Sequence, residues 1–228
     1  MTSSSHALPR HLGQLQEALA QGRRAFAGLQ LADVDGVGLD LSDCDLRGSC
    51  LRAGRLGRAI LRGAQLGGSS LQQALLWGAD LSKTQAQASL WHEADLSGAR
   101  LQGADFSGAF LHRCCLRGVL AAGSHWRRAR LVEADFRSGL DQLTDLGGAD
   151  FREADLSFAL FQGAQMAEAD LRESCLYGAN LAGADLTGAN LEGCDLRETT
   201  LRDAILEGAR LTGARLPETR QRGGDSER

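Results

Sequence analysis

The sequence predicts an all-β solenoid with a helical cap at its N-terminal end. Three observations carry that prediction. A large apolar residue recurs at every fifth position, a small residue stands two places before it, and glycine is frequent two places after it. Between Leu41 and Leu216 the stride gives 36 positions, and 31 of them hold Leu, Phe or Met. All 35 positions from Cys44 to Ala214 that precede them by two hold Ala, Ser, Thr, Cys, Gly or Val. Gly takes 17 of the 35 positions from Asp43 to Gly213 that follow by two. A register held without a slip for so long excludes a chance pattern. It also excludes ordinary elements: a five-residue stride smears leucines around a helix, and an odd stride flips them across a strand.

The elements follow in chain order. Residues 1–28 break the repeat and form an N-terminal extension. In LPRHLGQLQEALAQGRRAFAGL, Leu12, Leu15, Leu19 and Phe26 keep a helical stride, predicting a helix over 9–27 whose apolar face covers the first coil. Solenoid ends expose unpaired backbone and core side chains, so a cap is physically required. Over 29–216 the two apolar positions of each repeat are separated alternately by two and by three residues. A spacing of two keeps both side chains on one side of an extended segment. A spacing of three needs a corner, where Gly supplies permissive backbone angles. Corners of one hand close the chain into stacked coils. The exceptions Ala86, Trp91, Ala121 and Trp126 fit a closed interior, because a shrunken neighbour makes room for each Trp. Asp141 does not fit, and RSGLDQLTDL (137–146) reads as a loop of about one repeat's length. After Leu216 the charged, Gly-rich PETRQRGGDSER (217–228) reads as a disordered tail without a second capping helix.

Ala-Asp-Leu-Xaa-Gly and Ala-Asn-Leu-Xaa-Gly in tandem, as in ANLAGADLTGANLEGCDL (179–196), resemble the pentapeptide-repeat family. The resemblance implies a right-handed quadrilateral β-helix with four repeats per coil, hence about nine coils. At a strand spacing of about 4.8 Å the rod is roughly 43 Å long. Residues 20 apart are then expected to lie above one another. The N-terminal helix feeding straight into the coil resembles cyanobacterial-type members. It implies a non-enzymatic scaffold or protein-interaction module, with no cofactor. Members that confer quinolone resistance imply an alternative, a DNA-mimicking rod that binds and protects type II topoisomerases such as gyrase. Glu93, Glu133, Glu153 and Glu173, with Asp150 and Asp170, are read as one acidic face for that purpose. Arg113, Arg130, Arg152 and Arg172 are placed on the same face and neutralise it.

Composition narrows the partners. A net charge of −4 and a pI near 5.7 argue against a nucleic-acid-binding surface. The sequence has no apolar run of membrane-spanning length and no apolar core of a secretion signal in MTSSSHALPRHL, so no membrane association is expected. Cys44, Cys114 and Cys194 fall on the small interior position, and Cys50, Cys115 and Cys175 on outward positions one coil from no other cysteine. A reduced, cytoplasmic setting accounts for them.

Nothing in the sequence assembles a catalytic or metal site. His92 and His112 are expected to stack with Glu93 beside them, but a metal needs three or four converging ligands. Cys114 has no placed base, and Asp141, Thr144 and Asp145 suit a turn. The candidate sites are therefore apolar residues at outward positions. Leu120, Leu140 and Leu160 are expected to stack as a ridge, with Leu143 and Phe158 at the adjoining corners. Leu90 and Phe110, beside His92 and His112, form a second patch. Such patches on a soluble rod mark interaction surfaces, unless the 137–146 loop or the N-terminal segment folds over them. The uncapped C-terminal coil is expected to pair with a copy of itself.

Overall fold

The computed structural model describes residues 7–139 and 141–218. Helix α1 spans Leu12–Ala20, and His11 caps its start by accepting from the Gln14 amide. It ends earlier than the expected 9–27. Gly22 adopts φ of +81°, and the Arg23 amide turns back to the Ala18 carbonyl, which stops the helix as a glycine C-cap does. Leu15 is fully buried, and Leu12 and Leu19 pack against the core beside it. Phe26 belongs to the first coil. Parallel pairing starts at Ala25↔Asp45, four residues before the expected boundary.

From there the chain winds as four faces per turn. We name them by the inward residues of one turn: Phe106 on the first face, Leu111 on the second, Leu116 on the third and Ala121 on the fourth. One repeat shows how the ladder works. The Leu96 amide donates forward to the Cys115 carbonyl (2.8 Å), and the Cys115 amide donates back to Ala94 (3.0 Å). The Ala94 amide closes the corner onto the Trp91 carbonyl (2.8 Å). Outside the irregular segment 137–146 the corner residues have a left-handed backbone; Gly183 takes φ of +65° without steric cost, while Glu93 holds +57° against its own Cβ. The Asp or Asn before each inward residue is more than a water-facing group. Its carboxylate or amide oxygen accepts from the amide two residues on, as in Asp105 to Ser107 (2.8 Å) and Asn190 to Glu192 (3.1 Å). This Asx turn fixes the start of each bend.

The interior is filled by the inward residues, and its few polar atoms are paired. Trp126 lies on Phe106 with ring centroids 4.6 Å apart and faces Phe151 at 5.9 Å. Its indole N–H donates to Ser124 Oγ (2.6 Å), which donates to the Ala121 carbonyl. Trp91 and Ser89 repeat the arrangement. Cys44, Cys114 and Cys194 are buried, Cys50, Cys115 and Cys175 are half-buried, and all six are free thiols. No helix among the described residues is long and apolar enough to cross a membrane.

The irregular segment changes the register. Between Phe136 and Leu146 the chain takes ten residues to do the work of five, so pairing jumps from 20 to 25: Leu120 pairs with Asp145, and Asp135 with Leu160. The loop folds back on the corner at Gly118. The Gly118 amide donates to Thr144 Oγ1 (2.9 Å), Thr144 Oγ1 donates to the Arg137 carbonyl (3.0 Å), and Gln142 donates to the Gly118 carbonyl. Ser138 stands where a corner residue belongs and Thr144 where the next small inward residue belongs. Deleting residues 139–143 is therefore expected to leave a regular repeat. Its thermal melt should stay within a few degrees of wild type; a collapse of the melt would show that the loop holds the turn together.

The disordered reading of 217–228 falls, apart from Pro217 and Glu218, outside the described residues.

Candidate interaction face

The second face carries a run of outward apolar side chains. Leu90 and Phe110 pair directly, and Arg130 follows them in the same column. Phe110 is 40% exposed, and the Arg130 guanidinium sits 5.1 Å from its ring. In the neighbouring column His92 and His112 stack with centroids 5.2 Å apart and planes 10° from parallel. His112 Nδ1 lies 3.0 Å from the Val132 carbonyl oxygen, and Val132 continues the column. His92 Nε2 approaches Glu93 at 3.4 Å, and Gln73 holds Glu93 from the other side. The Arg113–Glu133 pair (2.8 Å) borders the patch at the corner. Further along the same face Phe158 meets Tyr177 edge-on at 5.6 Å, and Arg197 covers the Tyr177 ring. Phe158 lies across Gly178, where a Cβ would sit 2.6 Å from its ring.

The structure therefore brings together Leu90, His92, Phe110 and His112, and places Phe158 on the border of that face. It does not form the expected ridge. The loop's five extra residues put Leu120 on the fourth face over Asp145, and Leu160 on the third face over Asp135. Leu140 lies outside the described residues. Leu143 is 58% exposed in the loop itself. Sequence reasoning missed Val132, Tyr177 and the Arg130 contact. Val132 carries the same signal as Leu90, an apolar residue where the repeat is otherwise polar; Tyr177 needs the 25-residue jump before its column is visible.

The same shift splits the acidic face. Glu93 and Glu133 line the corner after the second face, whereas Glu153 and Glu173 line the corner after the first. The arginines consume much of that charge locally. Arg127 and Arg128 both donate to Glu153, Arg152 chelates Asp150, and Arg172 chelates Asp170. Arg197 does the same to Asp195 and holds its carboxyl down to about 2. Such exposed pairs contribute little to stability but cancel the long-range field.

The interior thiols are not poised for nucleophilic chemistry. Burial pushes the Cys44 thiol up to about 11 and the Cys114 thiol higher still, the opposite of nucleophile activation. Among the described residues no three metal-ligating side chains converge. Among the described residues a shallow surface groove of about 540 Å³ lies between Trp77 and the loop residues Ser138, Gly139, Asp141 and Gln142, lined also by Gly98 and Gly118.

With this geometry in hand, comparison with known proteins decides the family. The model for pentapeptide repeats matches in eight copies, over residues 40–78, 59–89, 79–120, 149–188 and 179–216. The chain is a pentapeptide-repeat protein. The break in the match between 120 and 149 contains the loop that shifts the register. Among solved structures the chain is similar to HetL, a pentapeptide-repeat protein involved in heterocyst differentiation regulation from the cyanobacterium Nostoc sp. strain PCC 7120. The two share 32% identity over 92% of this chain and 98% of HetL, with a TM-score of 0.75. QnrB1, a plasmid-mediated fluoroquinolone resistance protein, is 19% identical over 86% of this chain and 93% of its own, with a TM-score of 0.42. No curated protein matches the chain in sequence. The repeat match and the likeness to HetL fix the family fold, the right-handed quadrilateral β-helix.

Proposed function

We propose that this pentapeptide-repeat protein is a non-enzymatic scaffold that docks a protein partner through its second face. The observation that carries this reading is the contiguous patch of Leu90, Phe110, His92, His112 and Val132 on a rod whose other outward positions are mostly polar. Flat, pre-ordered surfaces suit protein association because the backbone carries no further ordering cost on binding. Exposed aromatic side chains act as anchors in such contacts. The filled interior supports the same reading, since binding pockets are ordinarily concave and deep. HetL's involvement in a differentiation pathway agrees with a regulatory scaffold.

The test is affinity capture from the native cell with wild type and with Leu90→Ser/Phe110→Ser. A partner is expected on wild type and at least about tenfold depleted on the variant, which at a half-buried Leu and an exposed Phe should stay folded. The purified partner should bind wild type alone in titration calorimetry. Equal recovery on both proteins rejects this face, and no binding by any purified candidate rejects the scaffold reading.

A further inference from the structure

A second surface, at the corner between the third and fourth faces, joins an exposed indole to unpaired cations. Residues 46–65 make one turn that carries Arg47, Arg52, Arg55, Arg58 and Arg62 and no acidic residue, in a chain whose net charge is −4. Three of these arginines are tied to acids just outside the turn: Arg47 to Asp45, Arg55 to Asp35 (3.0 Å) and Arg62 to Asp80 (2.8 Å). Arg52 and Arg58 make no ion pair among the described residues, and neither does Arg100, two turns above Ile60. Trp77 stands one turn above Gly57, and its indole lies back over that glycine, where a Cβ would collide with the ring. Arg58 holds the ring from the corner, its guanidinium 5.1 Å from the centroid. This seat leaves the indole 38% exposed, with exposed Leu75 beside it, Val37 below it and Ile60 round the corner. Above Trp77 the corner residues Gly78, Gly98 and Gly118 carry no side chain, so the corner becomes a trough that ends at the loop. From Trp77 to the loop it rises three turns, roughly 14 Å, the length of about four extended residues.

We propose that this corner docks a short acidic protein segment in extended conformation, with an apolar side chain seated against Trp77. Charge complementarity supports that occupant. Over residues 55–63, 75–83 and 95–103, which build the two faces here, five cationic side chains stand against two acidic ones, Asp80 and Asp95. A long polyanion would run past the arginine turn onto a rod whose remainder is net negative, whereas a short segment meets the local cations alone. The aliphatic neighbours Val37, Ile60 and Leu75 also suit a peptide better than a nucleic acid, which gains from stacking and phosphate contacts. Trp and Arg are the side chains on which binding energy concentrates, and an indole already held in its seat has little freedom left to lose. Asp141 closes the loop end of the trough, so the acidic residues of the segment lie at the Trp77 end, over Arg58 and Arg100. The site is separate from the second face and does not depend on the partner proposed there.

Fluorescence titration of the full chain with a short synthetic peptide, a Leu-Phe pair flanked by glutamates, tests the proposal. Trp91 and Trp126 are fully buried, so a change in indole emission reports on Trp77. Saturable binding is expected with a Kd of about 100 µM or tighter, weakening as salt is raised. In calorimetry Trp77→Ser and, separately, Arg58→Gly/Arg100→Ser should each bind the peptide at least about tenfold more weakly. Glycine suits position 58, whose φ is +56°, and all three side chains are exposed, so both variants should keep the wild-type circular dichroism spectrum and melt. If Trp77→Ser misfolds, the arginine variant decides alone. Leu90→Ser/Phe110→Ser should bind the peptide as wild type does, which separates this site from the second face. Three results overturn the proposal: no saturable binding, equal binding of a peptide with lysines in place of the glutamates, or tighter binding of a single-stranded oligonucleotide at Trp77. Unchanged affinity in the arginine variant overturns it as well.

Discussion

Replacing Leu181 by Lys is expected to unfold the C-terminal coils. Leu181 is completely buried on the third face, and its backbone joins Thr200 above while Phe161 fills the turn below. Losing the burial of a Leu costs about 1.5–3 kcal/mol. An unpaired ammonium adds several kcal/mol more, because the side chains stacked with it in the same column, Phe161 and Leu201, cannot accept a hydrogen bond. A solenoid concentrates such damage in one place, since each turn is held only by its neighbours. Hydrogen exchange should therefore lose protection from about residue 181 onward while the turns around Phe106 stay protected. A thermal melt overlapping wild type would refute the inward register. Leu186→Lys, on the fourth face, is expected to behave alike.

Trp126→Ala is the next largest expected effect. Trp126 is fully buried and stacks between Phe106 and Phe151. Removing a large buried aromatic costs about 3–5 kcal/mol, because the neighbouring turns are fixed by their ladders and cannot close the cavity. The change also leaves Ser124 Oγ without its donor from the indole, although that hydroxyl still donates to Ala121. Denaturant unfolding should show the midpoint falling sharply, and Trp126→Phe should recover most of the loss by restoring the stacked column. If Phe and Ala variants unfold alike, stacking is not what holds this part of the rod.

The repeat made the architecture legible before any coordinates. Leu at every fifth position, Ala or Ser two before it and Gly two after it state which side chains point inward and where the chain bends, because steric demands repeat identically in each turn. Trp91 and Trp126 were readable as core for the same reason: Ala86 and Ala121 offered the volume they occupy. The helix was legible in kind but overextended, since Phe26 fits both the helical stride and the first coil, and only the left-handed Gly22 separates the two.

What the sequence by itself determined was thus everything that depends on neighbours within one repeat: the inward register, the corners and the interior thiols. What only the tertiary structure decided depends on which turn lies above which. A five-residue loop at 139–143 keeps every inward residue inward, because it is one whole repeat long, and yet it rotates all later repeats by one face. For that reason Leu120 and Leu160 part company, the glutamates fall on two corners, and Tyr177 shares a face with Phe110. Local periodicity records the phase of each repeat but carries no record of how many have passed, and a surface patch is a property of that count.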